Sequence, residues 1–441
     1  MRDGGRLAAA MDVLADMEAH HRPAALALRD WGARHRFAGS GDRSVIGNLV
    51  YDALRGRGAY RAALGAETPR ADVLGAYVWG WGRGLDGLRS VLDGDPHAPA
   101  ALTPEEEAVL GADLSGHLAG KDLAARASIP ALAAAPLERV FGDAAEREAR
   151  AMMERAPLDL RVNTLKADTV KALKALARFG AEPAGFLGEG LRIPAPAPEG
   201  RLPNLQGEPA FAKGWVEIQD EGSQIAARLA LAEPGQQVLD YCAGAGGKTL
   251  ALAALMDNKG QLFAHDADRH RMADLWPRLS RAGVRNTQIL TPGDPALSGL
   301  RGRMHRVVVD APCTGSGTWR RGPDTKWRLS DKALATRMAE QDRVLAEAAP
   351  FTAPGGRLVY ITCSLFAEEN EDRIEAFLET RAGSDFTLLD AASLWSEALS
   401  VAAPEGSFVP VGARGTAIRL TPARHGTDGF FIAVLERAGR G

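Results

Sequence analysis

Cysteine is scarce in this chain, which has only three in 441 residues. Such a small, odd number gives no basis for a disulfide framework and is typical of proteins from a reducing compartment. We therefore expect a cytoplasmic protein. The three thiols, at positions 242, 313 and 363, have no metal-site spacing, so we also predict that the protein holds no metal.

Long apolar runs and a strong excess of charge are also missing. No uninterrupted apolar segment reaches the roughly 18 residues that a membrane span needs. The N-terminal segment, residues 1–21, alternates charged and apolar residues and lacks the apolar core of a signal peptide. The net charge is −3, which excludes a uniformly basic nucleic-acid binder, so a polyanionic partner has to meet a local patch.

One local patch is basic. Between Arg22 and Arg61 there are eight arginines against three aspartates. A charge run of this kind is either a solvated helical face or a contact for a polyanion, and the sequence alone leaves both interpretations open.

The pattern of apolar residues divides the chain into three regions and predicts a multi-domain protein. Residues 1–127 show helical spacing and no strand alternation, which predicts an all-α bundle. Residues 128–215 combine an alternating strand at 158–165 with a helix after Asp168, which predicts a small α+β module. In residues 216–441 apolar strands alternate with helices, which predicts an α/β domain with a parallel sheet covered on both faces.

The three cysteines all stand at the ends of apolar strands of the third region. Cys242 ends QQVLDYC, Cys313 ends HRVVVDAPC and Cys363 ends RLVYITC. In open α/β sheets the ligand lies at the carboxyl ends of the strands, so we expect the thiols at the functional edge. A lone cysteine in such a position is more often a small buried apolar residue.

The first of these strands leads into a glycine-rich turn, DYCAGAGGKT, at residues 240–249. It is not a P-loop, because Cys242 stands where that motif needs its first glycine, and an ATPase is therefore disfavoured. A dinucleotide motif fails as well, since its third glycine would fall at Thr249. What remains is a tight turn without bulky side chains that lets a ligand approach the backbone and a helix N-terminus.

Acidic residues follow the next strands of the series. Asp266 ends the second strand, at the distance typical of a ribose-binding acid, and Asp294 and Asp310 follow the third and fourth strands. A helix cap or a turn explains any one of these acids. The ordered set suits a nucleoside with a cationic tail, such as S-adenosylmethionine, better than a triphosphate, which the carboxylates would repel.

Two cysteines beside a cofactor turn favour covalent chemistry on a pyrimidine. Carbon 5 of cytosine is a poor nucleophile, but addition of a thiolate to carbon 6 makes it enolate-like and able to accept a methyl group. A base then removes the proton on carbon 5 so that the thiolate can leave. This chemistry needs a nucleophile, a base and an acid near the ring, so two cysteines at one edge need separate roles.

Four stretches resemble the Nop/Sun family of RNA cytosine-5 methyltransferases: DYCAGAGGKT, DAPCTGSGTWRRGPDTKW, YITCSLFAEENE and HGTDGFF. The resemblance implies that Cys363 of the Thr-Cys motif is the nucleophile and that Cys313 of the Pro-Cys motif aids product release. It also implies that Asp310 hydrogen-bonds the cytosine or lies between it and the cofactor. The cofactor contacts that it implies are Cys242, Ala243, Gly244, Ala245, Gly246, Gly247, Lys248, Asp266, Asp294 and Asp310.

The resemblance extends beyond the catalytic region. Residues 41–51, GDRSVIGNLVY, are similar to the NusB-like helical domain of the bacterial members that methylate small-subunit ribosomal RNA. LDLRVNTL resembles the RNA-binding segment of the family and implies RNA contacts at Arg161 and Asn163.

A cluster after Cys313 combines cations with Trp319 and Trp327, as unpaired RNA requires. Core packing explains the two tryptophans equally well. The cations predicted to contact RNA are Arg320, Arg321, Lys326 and Arg328.

The sequence thus predicts a monomer that transfers a methyl group from S-adenosylmethionine to carbon 5 of a cytosine in RNA, with small-subunit rRNA as the preferred substrate. Its expected domains are a NusB-like bundle (1–127), an RNA-binding α+β module (128–215) and a Rossmann-like methyltransferase domain (216–441). A tRNA cytosine-5 methyltransferase and a non-catalytic, NusB-like RNA-binding assembly factor stay open as alternatives. The presence of both Cys313 and Cys363 favours catalysis.

Overall fold

The computed structural model describes residues 1–201 and 203–439, which fold into two compact units. The helical unit comprises Met1–Arg155 with two later segments, Pro196–Leu202 and Trp319–Ser330. The sheet unit comprises Ala156–Ala195, Pro203–Thr318 and Asp331–Gly441. No helix in the described residues is both long and apolar enough to cross a lipid bilayer.

The helical unit is built around α3, whose apolar side chains Leu49 and Leu54 are fully buried. Gly75 is required beside α3, because a side chain at that position would lie 2.4 Å from the ring of Tyr60. The helices are α1 (Asp3–Ala19), α2 (Ala24–Arg34), α3 (Ser40–Leu64), α4 (Pro69–Gly75), α5 (Gly84–Leu92), α6 (Pro104–Leu110), α7 (Leu114–Leu118), α8 (Leu123–Arg126), α9 (Ala131–Phe141) and α10 (Ala145–Ala151). The predicted all-α character is confirmed, but the unit continues past the predicted boundary at residue 127 to Arg155.

A small antiparallel sheet begins the sheet unit. Its strands are β1 (Leu158–Val162), β2 (Glu182–Pro183), β3 (Gly190–Ile193) and β4 (Val216–Ile218), in the order β2-β3-β1-β4. Helices α11 (Thr169–Leu176) and α12 (Pro209–Ala212) accompany it. The sequence placed Val216–Ile218 in the next domain, whereas β4 pairs with β1 and so completes this smaller sheet.

The main sheet has the order β11-β12-β13-β9-β8-β5-β6-β7, with β10 paired to β13. Strands β5 to β9 run parallel, and β13 runs antiparallel to β9. The strands are β5 (Gln237–Asp240), β6 (Gln261–His265), β7 (Thr287–Leu290), β8 (Met304–Asp310), β9 (Thr352–Thr362), β10 (Phe386–Leu388), β11 (Phe408–Pro410), β12 (Thr416–Leu420) and β13 (Phe430–Arg437).

Helices cover both faces of this sheet, so the prediction of a parallel α/β domain is confirmed. Along β8, Val307 and Val309 pack into one apolar core, and Val308 packs into another. Alternating residues therefore point to opposite, equally buried faces. The remaining helices are α13 (Glu221–Arg228), α14 (Gly247–Leu255), α15 (Leu275–Ala282), α16 (Pro295–Ser298), α17 (Pro323–Lys326, in the helical unit), α18 (Asp331–Ala348), α19 (Glu371–Glu379), α20 (Ala391–Ala398) and α21 (Pro422–His425).

Lys326 lies inside the helical unit, which corrects the prediction that it contacts RNA. Its side chain is buried, and Nζ donates to the carbonyl oxygens of Arg55 (2.8 Å) and Ser128 (2.6 Å). Burial lowers the pKa of Lys326 well below its usual range. An amino group held in this way is not available to a phosphate.

The rest of this segment is divided between buried and exposed side chains. Arg320 is buried, so the prediction of an RNA contact is wrong for it as well. Arg321 is exposed, and Arg328 is 40% exposed with an ion pair to Asp324 of 3.1 Å. For these two arginines an RNA contact stays a prediction.

The two tryptophans of the segment pack internally. Trp319 is 1% exposed, and the indole Nε1 of Trp327 donates to the carbonyl oxygen of Leu54 (2.7 Å). Of the two interpretations left open by the sequence, core packing is the one that the structure supports.

Candidate active site

The switch point of the main sheet lies between β5 and β8, because the chain runs from β5 outward to β6 and β7 and then returns to β8 on the other side. Ligands of open α/β sheets bind at this point, beyond the carboxyl ends of the strands. The turn after β5 contains Cys242, Lys248 stands in the first turn of α14, and β8 ends at Asp310. The predicted cofactor turn and the predicted catalytic acid therefore flank the switch point.

Two glycines give the cofactor turn its shape. Gly244 and Gly246 have φ angles of +49° and +88°, in the region that side chains disfavour. A side chain at position 246 would also lie 2.2 Å from Leu275 of α15. Asp266, at the end of β6, fixes the turn by accepting a hydrogen bond from the backbone N–H of Gly244 (2.9 Å).

Lys248 and Asp310 form an ion pair across the switch point. Lys248 is 4% exposed, and its Nζ lies 3.0 Å from Asp310 Oδ2 and 2.9 Å from Ser223 Oγ. The Asp310 side chain is 35% exposed, so its carboxylate is still open to a ligand. The lysine therefore holds the acid in place from the buried side.

Burial, helped by nearby carboxylates, changes the ionisation of two groups at this edge. Burial, with added repulsion from Asp310 and Asp266, raises the pKa of Asp240 to about 7, although a hydrogen bond from Thr249 (2.6 Å) opposes the shift. Burial and the same carboxylates raise the pKa of Cys242 well above its ordinary value. Cys242 is therefore a protonated thiol at neutral pH, which suits a wall of the cofactor turn.

Cys313 and Cys363 lie side by side. The Sγ atoms are 3.4 Å apart, because the two cysteines follow the ends of the adjacent parallel strands β8 and β9. Both residues are partly exposed. The hydrogen bond to Cys363, followed by burial, raises the pKa of the Cys313 thiol well above its ordinary value. The Cys313 thiol is therefore protonated at neutral pH, and it lies within hydrogen-bonding distance of Cys363.

One buried carboxylate, Glu369, connects the two cysteine loops. It accepts hydrogen bonds from the backbone N–H of Thr314 (2.8 Å), from the Thr314 hydroxyl (2.5 Å) and from Gln341 Nε2 (3.0 Å). It also accepts one from the hydroxyl of Ser364. Thr314 follows Cys313 and Ser364 follows Cys363, so this single side chain sets the spacing of the thiols.

Further contacts join the same two loops. The backbone N–H of Gly317 donates to the carbonyl oxygen of Cys363 (2.9 Å), and Ser316 Oγ lies 3.0 Å from Ser364 Oγ. The C-terminal HGTDGFF motif approaches here as well, since the backbone N–H of Gly429 donates to Gly317 O (2.8 Å). The motifs that carry the resemblance thus meet at one place.

Two other predicted residues have structural partners. Asp294 caps α16 through the backbone N–H of Ala296 (2.9 Å), which is the helix-cap role that the sequence left open. Asn163 is buried, and its Nδ2 donates to the carbonyl oxygens of Gly214 and Ala282 (2.8 Å each). The prediction that Asn163 contacts RNA is therefore corrected, because both of its N–H groups are used inside the protein.

Arg161 is also buried, but it lines a cavity of about 190 Å³. Its Nε donates to Gln219 Oε1 (2.8 Å), and burial lowers its pKa to about 10. Because the Arg161 side chain is only 5% exposed, a phosphate on the protein surface cannot reach it. The structure therefore does not support the predicted RNA contact at Arg161.

Sequence reasoning missed several residues of the site. Glu369, Gln341 and Ser223 were not predicted, and neither was the partnership of Lys248 with Asp310. The one signal in the sequence was the acidic run AEENE directly after the Thr-Cys motif, in which one carboxylate is fully buried. Among the described residues, no group of three or more His, Cys, Asp or Glu side chains is placed to hold a metal ion.

The parallel sheet with its antiparallel last strand, the glycine turn at the switch point and the acids at strand ends define a Rossmann-like methyltransferase. The model of the family described as 16S rRNA methyltransferase RsmB/F matches residues 227–436. A solved structure, a methyltransferase homolog protein from Pyrococcus horikoshii, is 32% identical, with a TM-score of 0.56 over 71% of this chain and 97% of that one. The chain belongs to the Nop/Sun family of methyltransferases, whose cofactor is S-adenosylmethionine, and over the matched residues it is similar to the RsmB/F members.

Other relatives are similar over different lengths. A probable ribosomal RNA small subunit methyltransferase B from Synechocystis sp. is 33% identical over 307 residues, 68% of this chain and 65% of that protein. A Salmonella typhi protein described as ribosomal RNA small subunit methyltransferase B is 34% identical over 55% of this chain and 56% of that protein. The chain therefore spans less than two thirds of the length of both the Synechocystis and the Salmonella proteins. A solved structure designated PH0851 is 26% identical, with a TM-score of 0.71 over 99% of both chains.

Proposed function

We propose that this protein transfers a methyl group from S-adenosylmethionine to carbon 5 of a cytosine in RNA, with small-subunit ribosomal RNA as the substrate. The observation that carries the proposal is the pair Cys313 and Cys363, with Sγ atoms 3.4 Å apart beside the switch point of the sheet. A single methyl transfer to an oxygen or nitrogen atom needs no thiol. Two neighbouring thiols fit a reaction that needs a nucleophile and a base.

The residues around the switch point fit the cofactor. The glycine turn from Cys242 to Lys248 leaves room for a ligand against the backbone, and the carboxylates of Asp266 and Asp310 lie there, paired with Arg271 (3.4 Å) and Lys248 (3.0 Å). The Asp310 side chain is still 35% exposed, so its carboxylate can attract a sulfonium cation. We assign the cofactor to this turn. Bound there, S-adenosylmethionine supplies the methyl group.

Cys363 acts as the nucleophile in this proposal. Its thiolate bonds to carbon 6 of the cytosine, and the displaced electron pair makes carbon 5 able to take the methyl group. Cys313, once its own proton has gone to solvent, accepts the proton from carbon 5. The electrons of that C–H bond restore the ring double bond, the C6–S bond breaks, and Cys363 leaves as a thiolate.

The raised pKa of Cys313 supports this division of roles. A thiol with a raised pKa is a poor nucleophile at neutral pH, but its thiolate is a strong base. Asp310 is placed to accept a hydrogen bond from the cytosine amino group, because Lys248 fixes one carboxylate oxygen and the side chain remains partly exposed. This contact would hold the ring in position for attack at carbon 6.

RNA is assigned as the substrate on two grounds. The curated relatives are described as small-subunit ribosomal RNA methyltransferases, and the helical unit is consistent with the NusB-like domain implied by the sequence. A cytosine must be unpaired or flipped out of a duplex to reach the thiols, which costs a few kcal/mol. If the substrate is tRNA instead, the purified protein should methylate tRNA in preference to rRNA.

Two cysteine variants test the proposal. Cys313→Ala should accumulate a covalent RNA adduct, visible as a slow-migrating band in a denaturing gel, because the C6–S bond forms but is not released. Cys363→Ala should form no adduct and transfer no labelled methyl group. Cys242→Ala removes a thiol outside the pair and serves as the matched control, with no accumulated adduct.

The possible outcomes separate the alternatives. Adduct formation by Cys363→Ala and not by Cys313→Ala would exchange the two roles. No methyl transfer by the wild type to any rRNA or tRNA would favour a non-catalytic RNA-binding factor. Where the wild type is active, bisulfite sequencing of RNA from a deletion strain would identify the methylated position.

A further inference from the structure

The loop after α2 carries an exposed aromatic ring. Phe37 is 74% exposed, although it is a large apolar side chain. It extends a stack that starts inside the helical unit, where the rings of Trp31 and His35 are 4.3 Å apart and nearly parallel. The ring of Phe37 stands 5.8 Å from His35 and perpendicular to it.

The ring of Phe37 is supported by Trp31 and His35. Trp31 is 5% exposed, and Nδ1 of His35 donates a hydrogen bond to the carbonyl oxygen of Trp31 (2.8 Å). The stack therefore holds the loop after α2 in a defined position, so Phe37 is presented to solvent on a fixed support. An exposed aromatic side chain with such support is typical of a binding surface.

The loop and the adjoining ends of α2 and α3 carry positive charge without a carboxylate partner. Of the eight arginines between Arg22 and Arg61, five have a carboxylate partner: Arg22, Arg29, Arg55, Arg57 and Arg61. The other three, Arg34, Arg36 and Arg43, are exposed and have no carboxylate within 4.0 Å in the part of the chain that the structure describes. Nε of Arg43 donates to Ala38 O (2.9 Å), which ties this arginine to the Phe37 loop.

A cavity of about 560 Å³ opens beside the ring. Trp31, His35 and Phe37 form one wall, and Asp12 and His97 lie elsewhere in the lining. The space is larger than a nucleobase needs. Asp12 has no ion-pair partner among the described residues and would repel a phosphate, so the cavity suits the polar edge of a base, whose amino groups can donate to a carboxylate.

We propose that the surface formed by Arg34, Arg36, Phe37 and Arg43 binds an unpaired nucleotide of RNA. The base stacks on Phe37, and the flanking phosphates contact the three arginines. Cations combined with an exposed ring are what unpaired RNA requires, whereas an acidic peptide needs only the cations. The inference rests on the proposed function for its choice of RNA and adds a second contact surface, on the helical unit, to the substrate site.

The first test measures binding of a fluorescein-labelled, single-stranded RNA oligonucleotide to the full chain. Phe37→Ala should weaken binding about fivefold to tenfold, because the stacking of one base is lost. Phe37→Trp should bind at least as well as the wild type, since a ring remains. Leu26→Ala, on the same helix that precedes the loop and 39% exposed, is the matched control and should leave the Kd unchanged.

The second test measures the salt dependence of the same Kd. Removal of one phosphate contact to a single strand lowers the slope of log Kd against log salt by about 0.7. The triple variant R34Q/R36Q/R43Q should therefore lower the slope by about 2. Arg89→Gln, which removes an exposed arginine already paired with Glu107, should leave the slope unchanged.

The outcomes distinguish this inference from the proposed function. If the wild type methylates RNA but Phe37→Ala and the triple variant keep the wild-type Kd and slope, the inference is overturned and the surface belongs to a protein partner. If the wild type transfers no methyl group, the proposed function fails, while the loss of RNA binding in Phe37→Ala would still support the surface. Unchanged melting temperatures of the variants show that each comparison is made on folded protein.

Discussion

Residues 310–318 and 319–330 are consecutive in sequence, yet they belong to different units of the fold. The first part, Asp310–Thr318, leaves strand β8 and places Cys313 beside Cys363. The second part, Trp319–Ser330, packs inside the helical unit. In the sequence the two parts form one motif, DAPCTGSGTWRRGPDTKW, with acid, thiol, cations and aromatic rings in a row.

Lys326 of the second part differs in exposure from the two chemical groups of the first part, Asp310 and Cys313. Asp310 and Cys313 are partly exposed at the functional edge, where a ligand can reach them. Lys326 in the second part is buried and hydrogen-bonded to backbone oxygens. Residues of one sequence motif therefore need not share one role, since the first part is placed for chemistry and the second part anchors the chain.

Asp310→Asn should have the largest effect on catalysis. The substitution removes the negative charge that faces the cofactor and the cytosine, and it leaves Lys248 buried without its carboxylate. We expect kcat for methyl transfer to fall at least about 100-fold, the range for loss of a positioned acid or base. Single-turnover transfer of a labelled methyl group to RNA measures it.

Asp294→Asn is the control for this prediction. It replaces an acid at the same sheet edge whose side chain caps α16. Asparagine is also a good N-cap, so kcat should change less than about threefold. A similar loss of activity in both variants would contradict the special role of Asp310.

Glu369→Gln tests whether the first part depends on its buried partner. The side chain keeps its shape, but an amide NH2 replaces one acceptor oxygen, and because each oxygen accepts from two donors, two of the four donors lose their acceptor. The spacing of the thiols should relax, and kcat should fall about 10-fold to 100-fold with little change in the KM for S-adenosylmethionine. Steady-state kinetics with both substrates measures the two parameters separately.

A purely structural role for Glu369 predicts a different result. In that case the melting temperature would fall and kcat of the folded fraction would stay constant. Glu379→Gln, at the end of the helix that follows, with a side chain 73% exposed, should change neither quantity.

The main sheet could be predicted because buried parallel strands need continuous apolar runs, such as those ending at Cys242 and Cys313. The antiparallel end of the sheet was not predicted. Its strands β10 and β11 have three residues each, too few for a periodic signal, and their pairing is set by contacts with other strands.

The site was predictable only in part, for a related reason. The thiols and the glycine turn lie in short motifs, so a resemblance identifies them. Glu369 receives hydrogen bonds from three separate segments, at Thr314, Gln341 and Ser364, and no spacing in the sequence reveals that. Lys326 was assigned to RNA because its charge is visible in the sequence, while its burial is not.

Lys326→Met should affect stability and spare the chemistry. The carbonyl oxygen of Ser128 loses the hydrogen bond that Nζ donates, and a buried acceptor without a partner costs about 2 kcal/mol. We expect the free energy of unfolding to fall by about that amount near neutral pH, with kcat within about twofold of the wild type. Chemical denaturation followed by tryptophan fluorescence measures the first, and methyl transfer measures the second.

The difference between wild type and Lys326→Met should depend on pH. Burial lowers the folded-state pKa of Lys326 below the ordinary 10.5. At pH values between the lowered pKa and 10.5, the unfolded chain therefore binds a proton that the folded protein does not. Wild-type stability therefore gains from rising pH in this window, and the variant lacks that gain. The difference in free energy of unfolding between wild type and Lys326→Met should therefore widen as the pH rises. A difference that narrows instead would contradict a lowered pKa.

Arg328→Gln should have the smallest effect. It tests whether the second part of the motif, residues 319–330, contributes any contact to RNA. The guanidinium is 40% exposed and pairs with Asp324 at 3.1 Å, so part of it remains open to a phosphate. We expect about a twofold weaker Kd for single-stranded RNA and a salt slope lower by about 0.7, the value for a single phosphate. Arg83→Gln, 44% exposed and paired with Glu199, is the matched control and should leave the slope unchanged. An unchanged slope in Arg328→Gln would mean that this arginine, like Lys326, only anchors the chain, because an exposed ion pair alone contributes little to stability and nothing to RNA binding.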